Sequence, residues 1–343
     1  MPAPTDHLIV DFGSDTCKVG FSAIPTPTIV CRSEIGVPMS GMEPLLGFPK
    51  QHSFVGAELE KVMGLVRVNE CITDGMLVNW DIYEEILAHC FKSMKVSVKE
   101  KFLCHASLSN ECNNRILKDI LLETFQLQGV HLADPSVMAL LANNKTSGVV
   151  CSSGASNTSI NCVINGEVIR GSERTLNIGG KRLTNRLNHL MAEQGSYFDF
   201  PLEESIVSAI KEKLCFVQSN VASPTTKSEE PAEYFELPDG KFVRVDTERN
   251  QCPEALFRPD LEEIECMGLH KQVRDSVLSC DEEFQQNLLS NILLTGGNSC
   301  FPGLPERLSS ELDDLLPDVP KNVLTQIDKI LSTWQGCSML AAR

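Results

Sequence analysis

Short apolar segments separated by turns of small residues recur along this chain, and the first two form a hairpin pattern. His7–Phe12 is apolar, Gly13-Ser14-Asp15 is a turn, and Thr16–Phe21 is a second strand. A similar unit follows about 140 residues later, where Gly148–Cys151 and Thr158–Val163 flank another small-residue turn. The repetition predicts a duplicated α/β lobe.

Two amphipathic helices and two polar loops are predicted between and after these units. Apolar positions at helical spacing predict helices over Cys112–Gln128, with Gly129 as the stop, and over Ile206–Val217. Prolines and polar residues predict loops over Pro38–Pro49 and Val221–Glu233. The first loop is either a partner-binding segment or a poorly ordered tip.

A further hairpin and a third glycine turn complete the pattern. Tyr234–Val245 has the alternation of a hairpin, and the apolar strand Asn291–Leu294 leads into a turn that contains Gly296 and Gly297. Glycines in such turns allow positive φ and let backbone N–H groups approach a ligand closely. The three small-residue turns are therefore candidates for binding a phosphate group, although each alone is more often a plain turn.

The charge of the chain restricts its partners. The formal net charge is −16 and the sequence pI is about 4.9. A non-specific nucleic-acid binder needs a basic face, so direct nucleic-acid binding is not predicted. No apolar stretch approaches the roughly 18 residues of a membrane span, so no membrane association is predicted.

The cysteines and histidines give no metal or disulfide pattern. The 14 cysteines are scattered, and no two have C-x-x-C spacing. They predict free, mostly buried thiols in a reducing compartment. None of the seven histidines pairs with cysteine at zinc-ligand spacing, so no zinc site is predicted.

Several longer strings carry a family resemblance that the turns alone do not. They are residues 11–21 (DFGSDTCKVGF), 54–56 (FVG), 79–81 (NWD), 206–217 (IVSAIKEKLCFV), 236–240 (ELPDG), 252–257 (CPEALF) and 294–303 (LTGGNSCFPG). In order and spacing they resemble the signature stretches of actin, from His7 to about Leu340. On these strings the chain is identified as a divergent actin-related protein of the actin, Hsp70 and sugar kinase superfamily.

The resemblance implies an α/β actin fold with two lobes, each with an RNase H-like core, and a nucleotide cleft between them. It places the first lobe at residues 1–134 and 331–343, with a small outer subdomain at about 33–70. The second lobe is placed at 135–330, with an outer subdomain at about 180–268.

The resemblance also implies the residues of a nucleotide site. The cofactor-binding residues would be Asp11, Gly13, Ser14, Lys18, Gly154, Gly180, Lys211, Glu212, Gly296, Gly297 and Phe301. Ser14 and Lys18 would contact the phosphates of ATP or ADP, and Asp11 would face a hydrated Mg²⁺ ion. Lys211 and Glu212 would lie beside the adenine and ribose. Without the resemblance, these two residues are typical of a solvated helix face.

Residues that support hydrolysis in the family are missing here. The family's second phosphate turn (Asp-Ser-Gly-Asp-Gly-Val-Thr-His) is replaced by residues 152–159 (SSGASNTS), which contain neither the carboxylates nor the histidine. Pro135 stands where the family has a water-positioning glutamine, and Ile330 where it has a lysine near the adenine. Asp15 adds a carboxylate to the first phosphate turn, where like charges cost roughly 1 to 4 kcal/mol. Phosphoryl transfer needs a positioned water and charge around the metal, so the resemblance implies a pseudo-ATPase. Asp134 as a substitute for the glutamine is the alternative.

Two classes of function follow. The leading hypothesis is a non-catalytic structural or scaffold subunit of a cytoskeletal or chromatin-associated complex, with actin or other actin-related proteins as partners. The alternative is a slow ATPase that forms nucleotide-gated actin-like filaments. Because the chain stops at Arg343, before the family's final helices, we expect an incomplete filament face and a protein that either terminates a short filament or is a single subunit of an assembly. The expected location is the cytoplasm with the cytoskeleton, or the nucleus.

Overall fold

The computed structural model describes residues 7–22, 24–42, 53–95, 97–98, 101–106, 111–198, 203–218, 231–324 and 328–342. The chain divides into two compact units, Met1–Lys145 with Ile330–Arg343, and Thr146–Lys329. Most of the two predicted loops, Pro38–Pro49 and Val221–Glu233, lies outside the described residues.

Short strands and helices alternate along the described chain. The strands are β1 (Leu8–Phe12), β2 (Thr16–Phe21), β3 (Ile29–Arg32), β4 (Glu34–Pro38), β5 (Phe54–Val55), β6 (Val66–Glu70), β7 (Ile72–Thr73), β8 (Met76–Leu77), β9 (Phe102–Ala106), β10 (Gly129–Ala133), β11 (Gly148–Ser153), β12 (Thr158–Ile164), β13 (Glu167–Val168), β14 (Arg174–Leu176), β15 (Glu233–Glu236), β16 (Phe242–Val245), β17 (Ile292–Thr295) and β18 (Val323–Leu324). The helices are α1 (Ala57–Val62), α2 (Trp80–Ser93), α3 (Glu111–Asp119), α4 (Pro135–Ala142), α5 (Gly180–Glu193), α6 (Glu204–Leu214), α7 (Glu248–Glu254), α8 (Leu269–Leu278), α9 (Glu282–Leu289), α10 (Leu304–Leu315) and α11 (Ser332–Ala341).

The main sheet of the first unit has the strand order β10-β9-β1-β2-β3. The first three strands in sequence are antiparallel neighbours, whereas β9 runs parallel to β1 and to β10. In β1, Leu8, Val10 and Phe12 belong to one hydrophobic cluster, and Ile9 belongs to a second cluster. Because alternate side chains point to opposite faces, both faces of this strand are covered, which explains its nearly continuous apolar sequence.

Helices α4 and α11 pack against each other over the second cluster of this sheet. Gly336 in α11 lies so close to the Met138 carbonyl in α4 that an added Cβ would overlap it. Trp334 is fully buried in the same cluster. The close approach that glycine permits thus lets α4 and α11 pack together, although they are almost 200 residues apart in the sequence.

The main sheet of the second unit has the order β13-β12-β11-β17-β18, with β14 paired to β12. Here too the first strands in sequence are antiparallel, whereas β17 runs parallel to β11 and to β18. The two sheets share strand order and directions apart from the added β14. The duplication predicted from the two hairpins is therefore confirmed in the topology.

One predicted helix is interrupted and another is shorter than predicted. The continuous helix over Cys112–Gln128 is wrong, because α3 gives way to a π-helical turn over Ile120–Thr124. Gln126 then adopts a left-handed conformation, with φ of 56°, and Gly129 opens β10 instead of stopping the helix. The predicted helix Ile206–Val217 ends at Leu214, because Cys215 has extended backbone angles.

The described cysteines behave as the sequence predicts. They are all free, and all but Cys266 and Cys300 are buried. Among the described residues, no helix combines the length and the apolar character that crossing a bilayer requires.

Candidate functional site

Hydrogen bonds within the β1–β2 turn of the first unit and from the buried Ser33 stabilise its conformation. The Gly13 amide donates to the Thr16 carbonyl at 3.0 Å and closes the turn. Ser33 ties both sides of it, since its amide donates to the Asp15 carbonyl at 2.8 Å and its hydroxyl donates to the Gly13 carbonyl at 2.7 Å. Ser33 is buried, whereas Ser14 is half-buried and Asp15 is exposed. The turn thus presents its tip residues and hides the residue that orders it.

The two predicted charged residues of this hairpin bind each other. Lys18 Nζ donates to Asp11 Oδ2 at 2.9 Å, and both side chains are largely buried. Burial lowers the pKa of Lys18, but the charge and hydrogen bond of Asp11 outweigh it, and the net pKa is raised. Lys18 is therefore held as a cation at the base of the turn, with Asp11 as its counter-ion.

The β11–β12 turn of the second unit is stabilised by a backbone hydrogen bond inside the turn and by the side chain of Asn298. The Gly154 amide donates to the Asn157 carbonyl at 3.0 Å, so it is engaged inside the turn. Asn298 Nδ2 donates to the Ser153 hydroxyl at 3.1 Å and to the Gly154 carbonyl at 2.9 Å. The Ser153 and Thr158 hydroxyls lie 2.7 Å apart beneath the turn.

Lys211 and Gly180 meet beside this turn. Lys211 Nζ donates to the Gly180 carbonyl at 2.8 Å and to the Thr184 hydroxyl at 2.7 Å, and the lysine is only 5% exposed. A Cβ added at Gly180 would lie 3.3 Å from Asn298 Oδ1 and 3.5 Å from Lys211 Nζ. Polar atoms of Lys211 and Asn298 therefore pack closely around Gly180, whose amide donates to the Gly154 carbonyl at 2.9 Å.

The paired glycines after β17 differ in their roles. Gly296 has φ of 87° and lies against the Ser153 carbonyl, so only glycine fits there. At Gly297 nothing lies within 4 Å of an added Cβ, and Phe301 is buried in the hydrophobic core of the second unit. Lys329 Nζ donates to the Ser299 carbonyl at 2.7 Å. This lysine brings a cation to the turn from the position directly before Ile330, where the resemblance had indicated that the family's lysine is missing.

Glu212 is not part of this polar cluster. It is exposed on α6, and its Oε1 accepts a hydrogen bond from Ser208 at 3.1 Å, one helical turn earlier. Its neighbour Lys211 points into the unit. The two residues predicted to act together thus lie on different faces of α6.

Asp134 and Pro135 begin helix α4. Asp134 Oδ1 accepts from the Ser136 amide at 2.8 Å and from the Val137 amide at 3.2 Å, so it caps the helix. Pro135 occupies the first helical position, where its missing N–H removes no helical hydrogen bond. This pair of residues has a complete structural explanation as a helix start.

Three residues that organise these turns were not singled out from the sequence. They are Ser33, Thr184 and Asn298. Ser33 and Thr184 lie outside the turns that they support, and no local pattern marks them. Asn298 could have been found, because its place directly after the two glycines puts a side-chain amide at a turn.

Comparison with known families agrees with the topology and the turns. A model of the Actin family matches residues 3–343, which is nearly the whole chain. Proteins of this family generally bind nucleotide with Mg²⁺. The matched span, together with the two α/β units of equal strand order, leads to one conclusion: this chain belongs to the actin family and has an α/β actin fold.

Proposed function

We propose that this protein is a non-catalytic structural subunit of a larger assembly, an actin-family member that has lost ATP hydrolysis. The observation that carries the proposal is the start of α4. Pro135 replaces the family's water-positioning glutamine and has neither a side-chain donor nor an amide proton. The adjacent carboxylate, Asp134, is used to cap the helix. Both observations support the loss of a group that orients an attacking water.

The second-unit turn supports the same proposal. Its residues 152–157 are Ser-Ser-Gly-Ala-Ser-Asn and include no carboxylate. Their hydrogen bonds to Asn298 and Thr158 are those of a neutral turn. A turn without charge contributes little to the shell of a hydrated divalent cation, which prefers carboxylate oxygens.

Nucleotide binding is a separate property, and several residues fit it. In the second unit, the Lys211 ammonium and the Asn298 amide lie together beside Gly180 and are of a type that suits a polar group of ATP or ADP. In the first unit, Lys18 supplies a buried cation suited to a phosphate. Asp11 would be the one predicted Mg²⁺-facing residue, and Lys18 competes for its carboxylate.

The partners that fit this proposal are actin or other actin-related proteins within a cytoskeletal or chromatin-associated complex. The net charge of −16 favours surfaces with basic patches over nucleic acid. Such a subunit would act in the cytoplasm with the cytoskeleton, or in the nucleus. Purification from the source under mild conditions, followed by identification of co-purifying chains, tests this part.

Phosphate release from Mg·ATP by the purified protein tests the loss of hydrolysis. We expect no more release than in buffer alone, with conventional actin as the positive control. Asp134→Asn is the matched variant, because asparagine caps helices as well as aspartate but has no carboxylate. Turnover above background that disappears in this variant would make Asp134 a working substitute and overturn the proposal. Calorimetry with ATP and ADP measures binding independently.

A slow ATPase that forms nucleotide-gated filaments is the second candidate. The retained Lys18 and the glycine-only position Gly296 favour it, since the resemblance places Lys18 at the phosphates and Gly296 in the adenine and ribose pocket. Light scattering of the protein with ATP, with ADP and without nucleotide separates the two candidates. Nucleotide-dependent elongation supports the second candidate, and constant scattering in all three supports the structural subunit.

A further inference from the structure

Three cysteines that are far apart in sequence converge inside the first unit. Cys17 of β2 and Cys31 of β3 are directly opposed in the antiparallel register, and Cys90 comes from α2. All three sulfurs lie within 4.8 Å of one another, and Cys31 Sγ and Cys90 Sγ are 3.3 Å apart. Among the described residues, this is the one group of three or more cysteine, histidine or acidic side chains with metal-binding spacing.

We propose that Cys17, Cys31 and Cys90 form a binding site for a soft metal ion, with Cu(I) bound by the three sulfurs. A metal–sulfur bond of about 2.3 Å, as for zinc, sets sulfurs about 3.8 to 4.0 Å apart around one ion. The observed sulfurs span this range, from 3.3 Å to less than 4.8 Å. Small side-chain rotations would therefore place them around one ion.

The ligand set favours Cu(I) over the other ions that bind cysteine. Soft thiolate ligands select Cu(I), zinc and iron–sulfur clusters. Structural zinc sites are almost always four-coordinate, and iron–sulfur clusters are held by four cysteines as a rule. This cluster provides three sulfurs, which suits a three-coordinate ion.

Only Cys31 is held toward the thiolate form before a metal binds, and the metal must displace the protons of Cys17 and Cys90, whose pKa values are raised. Hydrogen bonds from Cys17 and Cys90 lower the pKa of Cys31 to about 4, whereas burial and the hydrogen bonds to the other two thiols raise the pKa of Cys17. Each thiol that binds Cu(I) releases its proton to solvent, and copper stays in the +1 state, so no electron is transferred. Lys18 interacts with Cys17, and His89 with Cys31, so two basic groups lie near the resulting negative charge.

Access to the cluster is through Cys31. Cys17 and Cys90 are fully buried, whereas Cys31 is 8% exposed. A Cβ built at Gly56 would lie 3.3 Å from His89 Nε2 and 3.6 Å from the Cys31 Cβ, so Gly56 and His89 border this side. Gly56 has φ of 59°, a conformation that favours glycine, and it contributes no side chain of its own to this side.

The test is a Cu(I) titration of the reduced full-length protein without oxygen, in competition with a chromogenic Cu(I) chelator. We expect one tightly bound Cu(I) per chain, and at least tenfold weaker binding in Cys31→Ala and in Cys90→Ala. Cys71→Ala is the matched control, since Cys71 is buried in the same unit and donates instead to the Ser33 carbonyl at 3.4 Å. Equal copper affinity in all variants would overturn the proposal.

X-ray absorption of the copper-loaded wild type needs no variant and remains informative if a variant fails to fold. Three sulfur neighbours support the site. Two sulfur neighbours would contradict it, and would point to a two-cysteine pair such as Cys104 and Cys337, which are hydrogen-bonded to each other. Zn²⁺ bound more tightly than Cu(I), or a Cys31–Cys90 disulfide in the anaerobic sample, would also contradict it.

Discussion

Lys18 and Asp11 are directly opposed across the β1–β2 hairpin, and Lys18 Nζ donates to Asp11 Oδ2 at 2.9 Å. The side chains are 8% and 13% exposed, so each is the main compensation for the other's burial. The same two residues are the predicted phosphate and Mg²⁺ contacts of the first unit. Structural stability and the predicted ligand binding thus involve the same ion pair.

Lys18→Met should lower the free energy of unfolding by about 3 kcal/mol, because it leaves Asp11 buried without its counter-ion. Urea denaturation at neutral pH measures the change. Lys241→Met is the matched control, since Lys241 pairs with Asp239 at 2.7 Å on the surface and should have no measurable effect. An equal loss in both variants would contradict a special role for the buried pair.

Gly296→Ala should lower the free energy of unfolding by about 2 kcal/mol or more. The cause is its φ of 87° with ψ of 167°, which is essentially restricted to glycine, together with overlap of the new Cβ with the Ser153 carbonyl. Gly297→Ala is the neighbouring control and should be nearly neutral, because nothing lies within 4 Å of its added Cβ. Thermal unfolding of the two variants side by side decides the point.

His270 should make the protein less stable as the pH falls below about 6.5. Burial lowers its pKa from 6.5, although Glu311, 3.7 Å away, opposes this. Because the folded-state pKa lies below the unfolded value, the unfolded chain binds the proton more strongly, and stability is lost as the pH falls through this window. His270→Gln should reduce the loss between pH 7 and 5 in urea titrations. His189→Gln, at an exposed position on α5, is the control substitution.

Glu212→Ala tests whether Glu212 contacts the nucleotide or is only a solvent-exposed residue of α6. If Glu212 contacts ribose, the variant should bind ATP or ADP about tenfold more weakly, as expected for one lost charged hydrogen bond. Its thermal stability should not change, because the side chain is exposed and contacts Ser208. Glu193→Ala, exposed on α5, is the control. Unchanged affinity in Glu212→Ala would show that its carboxylate makes no contact with the nucleotide.

Much of the fold could be predicted because its signals are local. The alternation of apolar residues in β1 and the small-residue turn after it need no information from distant residues. The interruption after α3 could not be predicted, since Ile120–Thr124 keeps helical spacing while its backbone changes to a π-helical turn. The predicted lobe limits stay a prediction. The sequence has no signal that α4, directly after Asp134, packs against α11 in the first unit.

For the candidate site, too, some features could be predicted from the sequence and others only from the structure. The residue types at 152–159 and at position 135 are read directly from the chain, so the predicted loss of hydrolysis needs no structure. The contact of Lys211 is not evident in this way, because helical spacing places Lys211 beside Val207 and Leu214 on the apolar side but does not indicate which group its ammonium meets. Only the packing of α6 against α5 brings Lys211 to Gly180 and leaves Glu212 exposed.

The sequence by itself determined the family, the repeated strand–turn–strand units and the missing carboxylates, since each depends on the order and type of neighbouring residues. The tertiary structure alone decided that Asp134 caps a helix, that Lys18 pairs with Asp11, and that three cysteine thiols meet in one core. The physical reason is that these contacts depend on side-chain direction and on the packing of elements. Neither is encoded in a local pattern of apolar and polar residues.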